Sequence, residues 1–162
     1  MPNWPRVRAW MSAHQAWLWV AALGLLIDRA TKVWALAALP EHPRPLAQYF
    51  WLTYVENTGA AFGMFQNGNA LLIGIMIAVI AFIIWSWQDI AHYGKIAQWG
   101  GVLILTGAVG NLYDRITLGF VVDFLDFRVW PVFNVADSCI TVGAVLVGIS
   151  LLFHSHAKQE KL

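Results

Sequence analysis

ALLIGIMIAVIAFIIWSW, residues 70–87, holds no charged side chain. Wound as an α-helix at 1.5 Å per residue, it reaches across roughly 30 Å, the thickness of a bilayer's hydrocarbon core. Three further stretches, residues 16–39, 98–116 and 135–153, are apolar over similar lengths but carry polar residues toward one end. Together the four use most of the 162 residues, leaving outer loops at 40–69 and 117–134. The chain is 59% hydrophobic and 12% charged, with a mean hydropathy of +0.60, outside the range of a soluble domain of this size. We read an all-α membrane protein, one domain over residues 1–162 with four transmembrane helices.

Four spans place both ends of the chain on one side. Arg6, Arg8, Lys95, Lys158 and Lys161 share that side, which the positive-inside rule makes cytoplasmic. Arg6 and Arg8 precede an apolar run as in a signal peptide, but no small-residue cleavage site follows, so a retained first helix is expected. Trp17, Trp19, Trp85, Trp87 and Trp99 then fall near inner ends, and Trp34, Trp51 and Trp130 near outer ends, as interfacial belts do. The connection from Gln88 to Lys95 is expected to be brief. Tyr49-Phe-Trp-Leu-Thr-Tyr-Val55 is rich in aromatic and β-branched residues and runs into the turn chemistry of Asn57-Thr58-Gly59, so it reads either as a strand of a small surface sheet or as an irregular interfacial loop.

This topology gathers the polar residues at the outer face: Asp28 and Lys32, Glu56 and Asn57, Asn111, Asp114 and Arg115, Asp123 and Asp126, Asn134 and Asp137. An ionisable group at membrane depth costs on the order of 2.5–3.5 kcal/mol on insertion scales, so each needs a partner, water or a function. Asp28 and Lys32 have the favourable acid-first i,i+4 spacing, which reads as an ion pair gluing helices. Gly107, Asn111 and Asp114 follow one helix face, with glycine permitting close approach. Asn111 and Arg115 could grip a substrate backbone or a lipid phosphate, or serve as helix glue.

Asp123 and Asp137 flank a loop that leaves one helix and enters the next, so its feet can meet. Two carboxylates at one site cannot both ionise comfortably; one holds a proton while the other acts as base toward a water attacking a peptide carbonyl. The plainer alternatives are a helix N-cap for Asp137 and a solvated loop acid for Asp123. Other chemistries lack their parts. There is no His-Glu-x-x-His, and only His42 lies on the outer side. Gly-x-Ser-x-Gly is missing, Ser138 would need a lysine base such as Lys32, and Cys139, the single cysteine, has no histidine but His42 on the outer side. No basic run or stacking motif suggests nucleic acid, and neither metal nor cofactor is expected. Two rivals use the same acids: a proton- or cation-coupled transporter, and a non-enzymatic assembly partner with interhelical hydrogen bonds.

Five motifs in order, Asp28-Arg-Ala-Thr-Lys32, Glu56-Asn-Thr-Gly-Ala-Ala-Phe62, Gly110-Asn-Leu-Tyr-Asp-Arg115, Val121-Val-Asp-Phe124 and Phe133-Asn-Val-Ala-Asp-Ser138, resemble those of bacterial lipoprotein signal peptidases, the signal peptidase II family. The resemblance covers essentially the whole chain. It implies an intramembrane aspartic protease with Asp123 and Asp137 as catalytic dyad. Asn57, Gly59, Asn111, Arg115, Asn134 and Ala136 would line or support the pocket, with Asp28, Lys32 and Asp114 as structural support. It further implies a surface β-cradle around residues 49–65 and cleavage of diacylglyceryl-modified prolipoproteins before the lipidated cysteine. Sensitivity to globomycin, contact with membrane lipids, a monomeric state and an inner-membrane location complete the expectation. The segment between the two aspartates is a few residues shorter than in some members.

Overall fold

The computed structural model describes residues 4–59 and 68–159. In chain order the elements are α1 (Trp4–Ala38), β1 (Arg44–Ala47), β2 (Phe50–Asn57), α2 (Asn69–Trp85), α3 (Trp87–His92), α4 (Lys95–Thr117), β3 (Val121–Asp126) and α5 (Val135–Gln159). Each expected span holds a long helix, and the differences have local causes. Helix α1 starts at Trp4 rather than Ala16, with Pro5 in the first turn, where a missing N–H is harmless. Helix α2 stops at Trp85 because Ser86 turns its hydroxyl back onto the Phe82 carbonyl at 2.7 Å, a bond that bends helices. The chain then winds again as α3, inside the segment expected to be a plain connection. Gly94, at φ 93, supplies the left-handed residue that lets the backbone reverse into α4.

Burial is inverted relative to a soluble fold. Trp19, Leu26, Ile116 and Leu152 are each more than 60% exposed, while Lys32 and Asn134 are completely buried. Apolar residues outside and polar ones inside suit a hydrocarbon surround. Among the described residues, only Val135–His154 is long and apolar enough to cross a membrane on composition alone, and Asn69–Trp85 is a shorter apolar helix. Composition thus marks one span where four were expected. The reason lies in the polar cargo: α1 carries Asp28, Arg29 and Lys32, and α4 dilutes its leucines with Gln98, Asn111 and four glycines.

Helices α4 and α5 make the most extensive contact, and glycine sets its closeness. A Cβ on Gly100 would lie 2.6 Å from the Gly143 carbonyl oxygen, and one on Gly107 would overlap the Ala136 carbonyl. Backbones this near hold the C-terminal half of α4 against the first turn of α5.

The segment that read equally as strand or loop is a strand. Sheet order is β1-β2-β3, antiparallel throughout, with Val55 opposite Asp123 and Asn57 opposite Val121. A register shift between Leu52 and Val55 inserts one extra residue in β2. Because side chains alternate faces, that bulge sets which residues of β2 share the face of Asp123. Asn57 becomes its diagonal neighbour. The sheet is fastened to the end of α1 by Ala35, and by Leu39 just past it, which pack on Val122 and Phe124. Ala60, Ala61 and Phe62 of the second motif, the end of the expected cradle to residue 65, and Lys161 lie outside the described residues.

Candidate active site

Asp123 sits in the middle of β3 rather than in a solvated loop and is 1% exposed. Each of its oxygens accepts one amide donor: Oδ1 from Asn134 Nδ2 at 2.7 Å, Oδ2 from Asn57 Nδ2 at 2.8 Å. Those donors favour the ionised form, yet burial, reinforced by the neighbouring Asp137 charge, outweighs them and pushes the carboxyl up to about 7. It is therefore an acid poised to hold or release a proton near neutrality.

Asp137 is in the first turn of α5, but Asn134, not Asp137, is the N-cap. Asn134 Oδ1 accepts the Asp137 N–H at 2.9 Å, while Asp137 Oδ2 accepts the Asn134 N–H at 3.2 Å. This is the reciprocal pattern of a capping box, with both partners drawn from the site. Asp137 Oδ1 accepts from Asn111 Nδ2 at 2.7 Å. Asn134 thus touches both aspartates, through its side chain to Asp123 and through its backbone to Asp137.

Behind the pair lies a buried ionic cluster. Lys32 Nζ makes three contacts, to Asp28 Oδ2 at 3.0 Å, Asp114 Oδ2 at 2.9 Å and Asn111 Oδ1 at 2.8 Å, which matches its three protons. The predicted i,i+4 pair is present, with more partners than spacing could reveal. An ammonium only donates, so Lys32 claims the Asn111 oxygen and obliges its amide nitrogen to face Asp137. Asp28 Oδ1 accepts the Ala136 N–H at 2.9 Å, and Asp114 Oδ2 the Val122 N–H at 3.3 Å, so the cluster pins the residues flanking both aspartates. Arg29 Nη1 reaches Asp114 Oδ1 at 3.2 Å and balances the remaining charge. A Cβ on Gly110 would come within 2.7 Å of Asp28 Oδ2, so the cluster also needs glycine there.

Arg115 is 4% exposed and committed inward. Its Nη2 donates to the Gly59 carbonyl and its Nη1 to Asn69 Oδ1 at 3.4 Å, while Asn69 Nδ2 returns a bond to the Arg115 carbonyl at 3.1 Å. The Gly59 N–H donates to Asn57 Oδ1 at 3.1 Å, so the Arg115 clamp continues through Gly59 and Asn57 to Asp123. Nε of Arg115 has no partner among the described residues. Arg115 thus ties Gly59 to the start of α2.

The structure brings together Asp28, Lys32, Asn57, Gly59, Asn111, Asp114, Arg115, Asp123, Asn134, Ala136 and Asp137. Two acids expected at the outer face stay apart from this group. Glu56 accepts the Tyr54 hydroxyl at 2.9 Å on the exposed side of β2. Asp126 is held below the usual carboxylate range because the Arg128 N–H, the Arg128 guanidinium and Thr53 outweigh its partial burial. Sequence reasoning missed Arg29, which the first motif contains with no role assigned to it, and Asn69, whose signal was a polar residue opening an apolar helix. Among the described residues no three His, Cys, Asp or Glu side chains are grouped as metal ligands.

The profile of the signal peptidase (SPase) II family matches residues 20–153. A Pelotomaculum thermopropionicum protein named lipoprotein signal peptidase is 40% identical over 144 residues, covering 88% of this chain and 95% of its own. The Pseudomonas putida protein of the same name is 38% identical over 169 residues, covering 96% and 97%. Among solved structures, one described as a bacterial membrane enzyme determined by the in meso method at 2.3 Å superposes with a TM-score of 0.81 at 28% identity, covering 89% of this chain and 92% of the other.

Proposed function

The chain belongs to the signal peptidase II family and is a protease, and from that footing we propose that it cleaves diacylglyceryl-modified prolipoproteins immediately before the lipidated cysteine, with Asp123 and Asp137 as the catalytic dyad. The observation that carries this reading is the pair of carboxylates bridged by Asn134, one of them held at about 7 in a buried site. With one proton on the pair, the protonated acid hydrogen-bonds the scissile carbonyl while the other takes a proton from water, whose oxygen attacks the carbon. The proton gained passes to the leaving nitrogen as the C–N bond breaks. No covalent intermediate forms. Asn57, Asn111 and Asn134 hold the acids in register, Gly59, Arg115 and Ala136 fix the segments beside them, and Asp28, Lys32 and Asp114 form the support beneath.

The topology in this reading is four spans in a bacterial cytoplasmic membrane. Both termini and Lys95 face the cytoplasm, and the site sits at the outer leaflet in a single monomeric domain. The inverted burial and the clustering of ionisable groups at one end of the bundle support it. Substrate acyl chains remain in the bilayer and fix the depth of the cut, each buried methylene contributing roughly 0.8 kcal/mol to that anchoring. Globomycin-type cyclic peptides would occupy the cleft beside the dyad. The transporter reading has no support from a family of proteases.

The test is incubation of purified protein with matched diacylglyceryl-modified and unmodified prolipoprotein, reading signal-peptide release on a gel, with Asp123→Asn and Asp137→Asn in parallel. Cleavage of the modified substrate alone, absent in both variants and blocked by globomycin, is the expected result. Equal cleavage of both substrates would refute the specificity, and turnover by either variant would refute the dyad.

A further inference from the structure

Leu26, Ile27 and Val33 of α1 are each more than 40% exposed, and Arg29 sits among them with its own side chain 40% exposed. A guanidinium on so apolar a helix surface is costly in a membrane and persists where it is used. Both of its partners are on α4. Nη1 donates to Asp114 Oδ1 at 3.2 Å, and the guanidinium carbon lies 4.8 Å from the centre of the Tyr113 ring, whose face holds the group in place. The Asp114 carboxylate is thereby divided. Its Oδ1 serves Arg29, while its Oδ2 accepts Lys32 Nζ at 2.9 Å and the Val122 N–H at 3.3 Å. Asp28, Lys32 and Asp114 are each at most 4% exposed, so Arg29 is the member of this ionic cluster that reaches the surface.

The charge count shows what Arg29 contributes. Two carboxylates, Asp28 and Asp114, meet one buried ammonium. With Arg29 the two signs balance, and the third proton of Lys32 is left for the neutral Asn111 oxygen at 2.8 Å. Without it one ammonium must serve both carboxylates, and in a poorly polarisable interior a carboxylate outcompetes an amide oxygen for its protons. Asn111 then loses the donor that fixes its amide, and that same amide makes the contacts to Asp137 at 2.7 Å and to Asn134 at 3.2 Å. The Val122 N–H, beside Asp123, loses a fixed acceptor by the same movement. We infer that Arg29 is a positioning residue for the proposed reaction: by holding Asp114 from the exposed side it leaves Lys32 free to set Asn111, and it keeps Val122, and with it Asp123, in place. The inference rests on the reading of Asp123 and Asp137 as the acid pair. It gives Arg29 no contact with substrate.

The experiment compares Arg29→Gln and Arg29→Lys in the full chain with Arg128→Gln, a second half-exposed arginine paired to an aspartate, whose partner Asp126 stands apart from the site. Signal-peptide release from diacylglyceryl-modified prolipoprotein gives kcat and KM. Arg29→Gln should lower kcat about tenfold and leave KM within about twofold, since no substrate contact is lost. Arg29→Lys should recover most of the rate, because the charge beside Asp114 is what matters, and Arg128→Gln should match the parent. A second readout does not involve the reaction: hydrogen–deuterium exchange in peptides covering Val121–Phe124 should quicken in Arg29→Gln and stay at the parent's level in Arg128→Gln. An unchanged kcat, a rise in KM alone, a loss that Arg29→Lys does not recover, or unchanged exchange would each overturn the inference. A parent that leaves the lipidated substrate uncut, or an Asp123→Asn protein that still cuts it, would count against the proposed reaction, with the exchange comparison still deciding whether Arg29 holds the strand.

Discussion

Replacing Asp123 with asparagine should flatten the dependence of stability on pH between about 4 and 7. The carboxyl titrates at about 7 in the folded chain against 3.8 for an ordinary aspartate. Over that window the folded protein keeps a proton that the unfolded chain has released, so this group's contribution is full below pH 4, falls as pH rises, and is gone above 7. Roughly three units at about 1.4 kcal/mol each gives on the order of 4 kcal/mol across the window. Asparagine has the size of aspartate but not its hydrogen bonding, because both Asp123 oxygens receive amide donors and an introduced NH₂ must face one of them. That mismatch costs about 1–3 kcal/mol at every pH. The informative quantity is accordingly the slope. Reversible unfolding by SDS in mixed micelles, followed by tryptophan fluorescence from pH 4 to pH 8, should show a parent that weakens as pH rises and a variant that weakens much less. An Asp123→Asn protein with the parent's slope would refute the claim that burial beside Asp137 raises this carboxyl.

Lys32→Met should strip the only ammonium from a site holding Asp28 and Asp114 and destabilise the fold by about 3–5 kcal/mol, read as a lowered unfolding midpoint; a midpoint near the parent's would mean the cluster is not ionic. Gly143→Ala places a methyl within 2.5 Å of the Gly100 carbonyl oxygen and should cost about 1–3 kcal/mol by the same measurement, since backbone cannot yield as a side chain can. Asn69→Ala and Arg115→Lys should each slow cleavage without abolishing it, and the double variant should lose far less than the product of the two, because both disrupt one clamp on Gly59. Fully multiplicative losses would show that the two residues act separately.

What the sequence disclosed was whatever depends on spacing along one element or on the order of motifs. The Asp28–Lys32 pair follows from helical periodicity, and the glycine face of α4 from the same rule. Spacing brought Asp123 and Asp137 together only as two acids flanking one loop, with an N-cap and a loop acid left open, and it was the order of motifs that singled them out. What stayed hidden depends on contacts between elements. Lys32 acquires two of its three partners from α4, 79 and 82 residues away in sequence. Arg29 meets Asp114 only across 85 residues of sequence, and Asn69 meets Arg115 across 46. Strand and loop were indistinguishable for Tyr49–Val55 because pairing with β3, across an intervening pair of long helices, decides the matter. Four spans were read from apolar length, yet only α5 stands out on composition among the described residues, because α1 and α4 spend their polar residues on the site.

The capping box at the start of α5 uses the same residues as the proposed chemistry. In most enzymes a helix end can fray by a turn and leave the catalytic groups where they were, as the two are built from different bonds. Here the amide of Asn134 and the carboxylate of Asp137 close the first turn and also set the acid pair, so local melting at that point dissolves the site before the helix itself is lost. Until α5 has wound and met the strand carrying Asp123, the proposed acid pair is not assembled.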